Sequence, residues 1–435
     1  MRFFMNKLDH LQQLDQMITA CVSPYHCILE STSRLKAAGF EELKLDGSWQ
    51  LEPGKSYFVN AFHSTMFAFR VGTILDTAPA LRIAAAHTDW PCFKLKPSPE
   101  VCTNRYGKLN VEVYGGPIFS TWMDRPLSMA GKVCTKGKSP FKPGIHFVDF
   151  QRPLITIPNL AIHMNRNVNE GVALDAQTDL LPLFTILTDT LEKDNYFLQL
   201  LAQEINTPIE EILDYEIYIY NMDSGTTLGL HEEFYSAPRL DNITSVQAAL
   251  NAIISSQPVD SIHMIALYDN EEIGSHTKQG AASALTDRII EKIYLSLGYS
   301  RETFLNALLH GFLLSMDVAH ALHPNHTEKC DIKNQILLND GVCIKMAASQ
   351  SYATDATAVS IIEQICQQAD IPYKKFSNRS NIRGGSTLGS ISSCLLTMKT
   401  VDIGVPLLAM HSSREIMGIY DQSAIVRLAA EFFLV

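Results

Sequence analysis

No run of about 18 consecutive apolar residues occurs in the 435-residue chain, so a membrane-spanning helix is not expected. No block of Lys or Arg occurs either. With 35 basic against 46 acidic residues the formal net charge is −11, which argues against nucleic acid or an anionic membrane as the main partner. The opening MRFFMNKLDHLQQLDQ lacks the sustained apolar segment of a secretory signal, and the chain reads as cytoplasmic. Nine cysteines, at 21, 27, 92, 102, 134, 330, 343, 366 and 394, include no C-x-x-C pair. They read as reduced, buried small hydrophobes, so cysteine is not expected among any metal ligands. Low-complexity runs and heptad arrays are absent too, leaving a globular chain long enough for two or three domains of about 150 residues.

What is present divides into three stretches. Leu8, Leu11, Leu14 and Ile18 recur at helical spacing, and SPYHCILESTSRLKAAGF continues as a second helix ended by Gly39. KSYFVNAFHSTMFAFRVG and ALRIAAAHTDW then read as strands. From about Phe93 the chain is rich in turn and β-branched residues, with strands through PLITIPNLAIHM, a helix over LLPLFTILTDTLEKDNYFLQLLAQEI and a strand at YEIYIYNM. After about Leu230 strand and helix alternate, the pattern of a parallel sheet covered on both faces. The fold class is therefore α/β: a mostly parallel sheet with helices on both faces, built from 1–92 and 230–435. A β-rich domain over 93–229 interrupts it.

In such sheets, sites form beyond the carboxyl ends of the strands. LRIAAAHTDW ends in His87 and Asp89, HMIALYDNEEIGS in Glu271 and Glu272, GFLLSMDVAHA in Asp317 and VPLLAMHSSREI in His411, while Asp241 precedes the helical pattern of NITSVQAALNAIIS. Each has an ordinary alternative. Asp241 fits a helix cap, and Ser412 with Glu415 fits an S-x-x-E capping box. Jointly, however, two histidines and four carboxylates are expected nearly all at the same edge of one sheet, and such carboxylates repel unless cations compensate them. A pair of divalent metals does so, and a mixed nitrogen and oxygen donor set suits Zn²⁺, with Mn²⁺ or Co²⁺ able to replace it. Of the adjacent glutamates, one is expected to bind metal and the other to move protons; spacing does not choose between them. Asp89, two residues beyond His87, is placed to orient that imidazole through its other nitrogen.

AAAHTDWPCFKLKP, YGGPIFSTWMDRPLSMAGKV, LAIHMNRNVNEG, EEFYSAPRLDN, YDNEEIGSHTKQGA, SMDVAHALHPNHTEK, GGSTLGSI and MHSSREI occur in this order, and on them the chain resembles the aspartyl aminopeptidase and aminopeptidase I family, metallopeptidase family 18. The resemblance implies a dinuclear zinc aminopeptidase releasing the N-terminal residue of peptides with a free amine. His87, Asp241 and Asp317 would surround one zinc and Asp241, Glu272 and His411 the other, with Asp241 bridging and Glu271 as catalytic base. It further implies that the insertion is a dimerisation domain and that chains assemble into a homododecamer. Substrate contacts would come from Lys345, Tyr352, His323 and a neighbouring subunit's counterpart of His163. Family members differ between acidic and neutral N-terminal residues, and Lys345 matches the lysine of acid-selective ones. Ser120 stands where a histidine is common, so the pocket detail tied to that histidine does not carry over. The rival readings are a related dinuclear zinc hydrolase, such as an N-acyl amino acid deacylase, and a non-catalytic assembly protein of the same fold.

Overall fold

A computed structural model describes residues 7–75, 78–188, 195–382 and 384–434. The chain forms two compact units. One comprises Met1–Asp89, Gly225–Met410 and Glu415–Val435; the other comprises Trp90–Ser224 with the short segment His411–Arg414.

The first unit is built on a nine-stranded sheet. From edge to edge its strands are Glu41–Glu42, Ser56–Ala61, Thr65–Val71, Ser261–Tyr268, Ala80–His87, Phe312–Met316, Lys399–Gly404, Val342–Met346 and Tyr373–Ser377. The three strands that deliver the candidate site, Ser261–Tyr268, Ala80–His87 and Phe312–Met316, are mutually parallel, so their carboxyl ends share one edge. The central strand, ALRIAAAH, is buried on both faces, and its run of alanines lets helices approach closely. Ile83 and Ala85 join a core with Ile289, Ile290, Ile293 and Phe304 from the helices Leu285–Ser296 and Arg301–His310. The helix Leu240–Ser255 also packs on this strand, and on the helices Lys7–Ala20 and Asp421–Phe432. A smaller five-stranded sheet in this unit contains Glu415–Gly418 between Phe234–Ala237 and Pro406–Leu408. No helix among the described residues is long and apolar enough to cross a membrane.

The second unit is a six-stranded antiparallel sheet in the order Lys142–Asp149, Leu127–Ser139, Ile212–Asn221, Cys92–Thr103, Tyr106–Tyr114 and Leu183–Ile186. Three local expectations are corrected, the first being strands through PLITIPNLAIHM, which forms only isolated bridges at Ile155, Thr156 and Ile157 and a turn at 162–164. The helix expected over 180–205 is instead a strand at Leu183–Ile186 and a helix only at Tyr196–Glu204, with 189–194 outside the described residues. Pro182 cannot donate within a helix, and the Leu183–Ile186 stretch takes its hydrogen bonds from Tyr106–Lys108 instead. Nor does the S-x-x-E pattern at Ser412 cap a helix: Glu415 opens a strand.

The nine-stranded sheet also carries a buried histidine near the start of the strand Ser261–Tyr268, at the opposite end from the site residues that follow it. His263 is 1% exposed, stacks on Phe433 with ring centroids 4.8 Å apart and lies 3.0 Å from the Ser261 hydroxyl. Burial, reinforced by Arg82 and Arg70, pushes its pKa down to about 3. In the unfolded chain it protonates near pH 6.5, so between these values the unfolded state binds more protons and stability falls as pH falls. Between pH 6.5 and 5 this one group is expected to withdraw about 2 kcal/mol. Urea titrations at the two pH values should show a smaller difference for His263→Phe; an unchanged difference would remove His263 as the cause.

Candidate metal centre

His87 ends the central strand and is 1% exposed. Its Nδ1 lies 3.0 Å from the Asp89 carbonyl, which can only accept, so Nδ1 carries the proton and Nε2 presents its lone pair in the neutral ring. Nε2 lies 3.4 Å from Asp241 Oδ1 and 3.5 Å from Asp317 Oδ1. Asp317 follows the parallel neighbour Phe312–Met316 directly. Asp241 sits in the first turn of the helix Leu240–Ser255 with non-helical φ −80° and ψ 104°. Its N–H donates to Glu415 Oε2 at 3.0 Å, and the next residue's amide, Asn242 Nδ2, donates to the Met316 carbonyl at 2.9 Å. The helix start is thereby tied to the strand end that bears Asp317.

On the other side, Tyr268 pairs with His87, and the chain runs on through Asp269 and Asn270 into the short 3-10 turn Glu271–Ile273. Asp89, fully buried, braces this turn with both oxygens: Oδ1 accepts the Glu271 N–H and Oδ2 the Glu272 N–H, each at 3.1 Å. Donor atoms of His87, Asp241 and Glu272 consequently lie within 4.8 Å of one another.

The electrostatics follow from this convergence. Burial, then the neighbouring Asp241 and Glu271, hold the Glu272 carboxyl well above its ordinary range. Burial is also the chief cause at Glu271, pushed up to about 8 with Asp317, Asp89 and Asp241 adding to it against His87. Burial disfavours a charged His87, yet Asp241, Asp317 and Asp89 outweigh it and raise its pKa well above the usual value. The pocket thus demands positive charge. The spacing fits a metal as well: two donors on one tetrahedral Zn²⁺, with bonds of about 2.0–2.1 Å, are held about 3.3 Å apart. The distances from His87 to Asp241 and Asp317 are near that value.

His411 belongs to the second unit, where its Nδ1 lies 3.1 Å from the Gly116 carbonyl, fixing the same tautomer as in His87. Lys345 is 1% exposed rather than a strand-edge surface residue. Its ammonium donates to Asp317 Oδ2 at 3.3 Å and to the Val318 carbonyl at 3.0 Å. Burial raises the Asp317 carboxyl, but Lys345 and His87 more than offset it and hold it below its ordinary value. Tyr352 is buried, with its ring 5.1 Å from the Lys345 Nζ. His323 lines a cavity of about 400 Å³ in the first unit, together with His320, His326, Lys329 and Arg379 over an apolar floor that includes Phe376. His163 lies in an exposed turn of the second unit.

Sequence reasoning missed Glu415, whose local pattern matches a helix cap, and missed that Asp89 braces the turn of both glutamates. The H-x-D spacing carried the only available signal for Asp89.

Fold and site together define a metal-dependent hydrolase of α/β architecture, with its acidic site at the carboxyl edge of the sheet. Residues 17–433 match the family described as aminopeptidase I zinc metalloprotease (M18), and the chain belongs to that family of metalloaminopeptidases. It is 43% identical over 429 residues to a probable M18 family aminopeptidase 2 of Clostridium acetobutylicum, covering 98% of this chain and 99% of the relative. A like-named protein of Pseudomonas savastanoi pv. phaseolicola is 35% identical over 422 residues, 97% of each chain. Among solved structures, the cryo-EM structure of the Ape4 and Nbr1 complex contains a chain similar at a TM-score of 0.94 and 32% identity, over 98% of this chain and 86% of that one. Chaetomium thermophilum mApe1 is similar at 0.86 and 27%, over 98% and 97%.

Proposed function

We propose that this metalloaminopeptidase is dinuclear and releases single residues from the free N-terminus of peptides, with a preference for Asp or Glu. The observation that carries the reading is the convergence of His87, Asp241 and Glu272 donors at one sheet edge. His87, Asp241 and Asp317 would hold one zinc, and Asp241, Glu272 and His411 the other. Bound zinc supplies a water ionisable near neutral pH and polarises the scissile carbonyl.

The protein's own side chains do the rest. Glu271 takes the proton of the attacking water on its carboxylate and returns it to the leaving amine, while Asp89 fixes the backbone of both glutamates. Lys345 has three N–H bonds, two directed at Asp317 and Val318. The third is assigned to a substrate side-chain carboxylate, which in a closed pocket needs a cation such as this ammonium or several donors. His323 and His163 are assigned to the peptide beyond the first residue, His163 from a neighbouring subunit. The second unit is assigned to dimerisation within a homododecamer; light scattering on the purified protein is expected to give the mass of twelve chains, and a monomer or dimer would reject this assembly. Cytoplasmic residence goes with this reading.

A panel of aminoacyl substrates, free and N-acetylated, at known metal content tests the reading: hydrolysis is expected only with the free amine, fastest for Asp or Glu. Preferential release of acetyl groups would favour a deacylase instead. Lys345→Met is expected to lower kcat/KM on Asp-terminated substrates by about 10-fold or more beyond any loss on Leu-terminated ones, the scale of a hydrogen bond to a charged group. Equal losses would sink Lys345 as the acid-selecting residue.

A further inference from the structure

A second buried carboxylate lies behind Lys345 and is unused by the metal centre. Asp402, in the interior of the strand Lys399–Gly404, has no solvent exposure. A carboxylate so placed needs donors on both oxygens. Oδ2 accepts the Ala353 N–H at 2.6 Å, and Oδ1 accepts the Thr387 hydroxyl at 2.6 Å. The Asp402 N–H donates to the Thr354 hydroxyl at 2.9 Å, and the Thr387 N–H donates to the Ser351 carbonyl at 3.2 Å.

Tyr352 is therefore tied on both sides, through Ser351 to Thr387 and through Ala353 to Asp402. Its hydroxyl accepts from Asn378 Nδ2 at 3.2 Å, and its ring faces the Lys345 ammonium. Lys345 and Asp402 are directly opposed in the antiparallel pair of their strands, which puts both side chains on one face of the sheet. The helix Leu388–Leu396 closes on the same point: a Cβ on Gly389 would come within 2.4 Å of Asp402 Oδ1 and 2.7 Å of Oδ2. The carboxylate is thus fixed from the strand and from two loops.

We infer that Asp402 and Thr387 form a clamp that positions Tyr352 against Lys345 and so sets discrimination between acidic and neutral N-terminal side chains. The inference rests on the reading that Lys345 receives the substrate carboxylate. An ammonium selects a carboxylate strongly only where water is kept from the pair, and the Tyr352 ring is the cover the clamp holds in place. Both clamp residues are positioning residues; neither is a proposed metal ligand.

Three substitutions in the full-length enzyme separate the possibilities. Thr387→Val removes one hydroxyl at constant volume, and Asp402→Ala removes both contacts. Asp402→Asn can keep both, its carbonyl accepting from Ala353 and its amide donating to the Thr387 hydroxyl. KM and kcat are measured on Asp- and Leu-aminoacyl substrates, with zinc content determined for each protein. Thr387→Val is expected to raise KM on the Asp substrate about three- to tenfold, the range of one lost hydrogen bond, with kcat, zinc content and the Leu KM nearly unchanged. Asp402→Ala should exceed it, and Asp402→Asn should restore most of the loss. A wild-type acid preference that survives Thr387→Val and Asp402→Ala, or an Asn variant as impaired as Ala, overturns the clamp alone. A wild type without acid preference overturns the Lys345 reading and the clamp together.

Discussion

Glu271→Gln is expected to lower kcat by about 10²–10⁴-fold while leaving zinc content unchanged. Glutamine has the same shape but cannot accept and return a proton. The turn that carries residue 271 is held by its backbone N–H to Asp89, so this substitution leaves the frame in place. Glu272 is fixed independently through its own N–H to the other Asp89 oxygen. Activity and metal should therefore separate cleanly, kcat falling at constant zinc. Near wild-type turnover would shift the base role elsewhere, and loss of zinc together with activity would make Glu271 a ligand.

The second large effect is expected at Asp241. An Asp241→Asn side chain exchanges an anionic oxygen pair for a neutral amide in a pocket where His87, Glu272 and Asp317 all face it. If Asp241 is the shared ligand proposed above, the substitution is expected to weaken both sites at once, by more than the about 10–100-fold typical of residues one step behind the ligands. Metal analysis after dialysis is expected to give well under two zinc ions per chain, with activity falling in parallel. Two retained zincs would rule out the bridging role. Because the Asp241 N–H to Glu415 bond uses the backbone, the substitution preserves it, and the fold should survive.

The framework of the site was readable because parallel strands announce their ends: AAAHTD, ALYDNEE and LLSMD each run from apolar to acidic within a few residues. Glu415 was not readable. Its three-residue offset from Ser412 is the same in a helix cap and in a strand that happens to begin there, and only the tertiary partner Asp241 distinguishes them. Lys345 was equally opaque, since VCIKM gives no sign that both of its faces are covered and that its ammonium reaches the Asp317 carboxylate. The strand at Leu183–Ile186 was missed for a related reason. Its leucine, phenylalanine and isoleucine suit either period, and the choice was made by pairing with Tyr106–Lys108, far away in sequence.

The Asp89 brace has a thermodynamic consequence. It joins chain positions 182 and 183 residues apart, and with Glu415 and Asn242 it fixes three of the donor-bearing segments by hydrogen bonds internal to the protein. Metal arriving there orders little chain, so its binding energy is not consumed in folding, unlike that of a zinc finger. A chain stripped of zinc is therefore expected to keep its sheet and these three segments in place, and to load again.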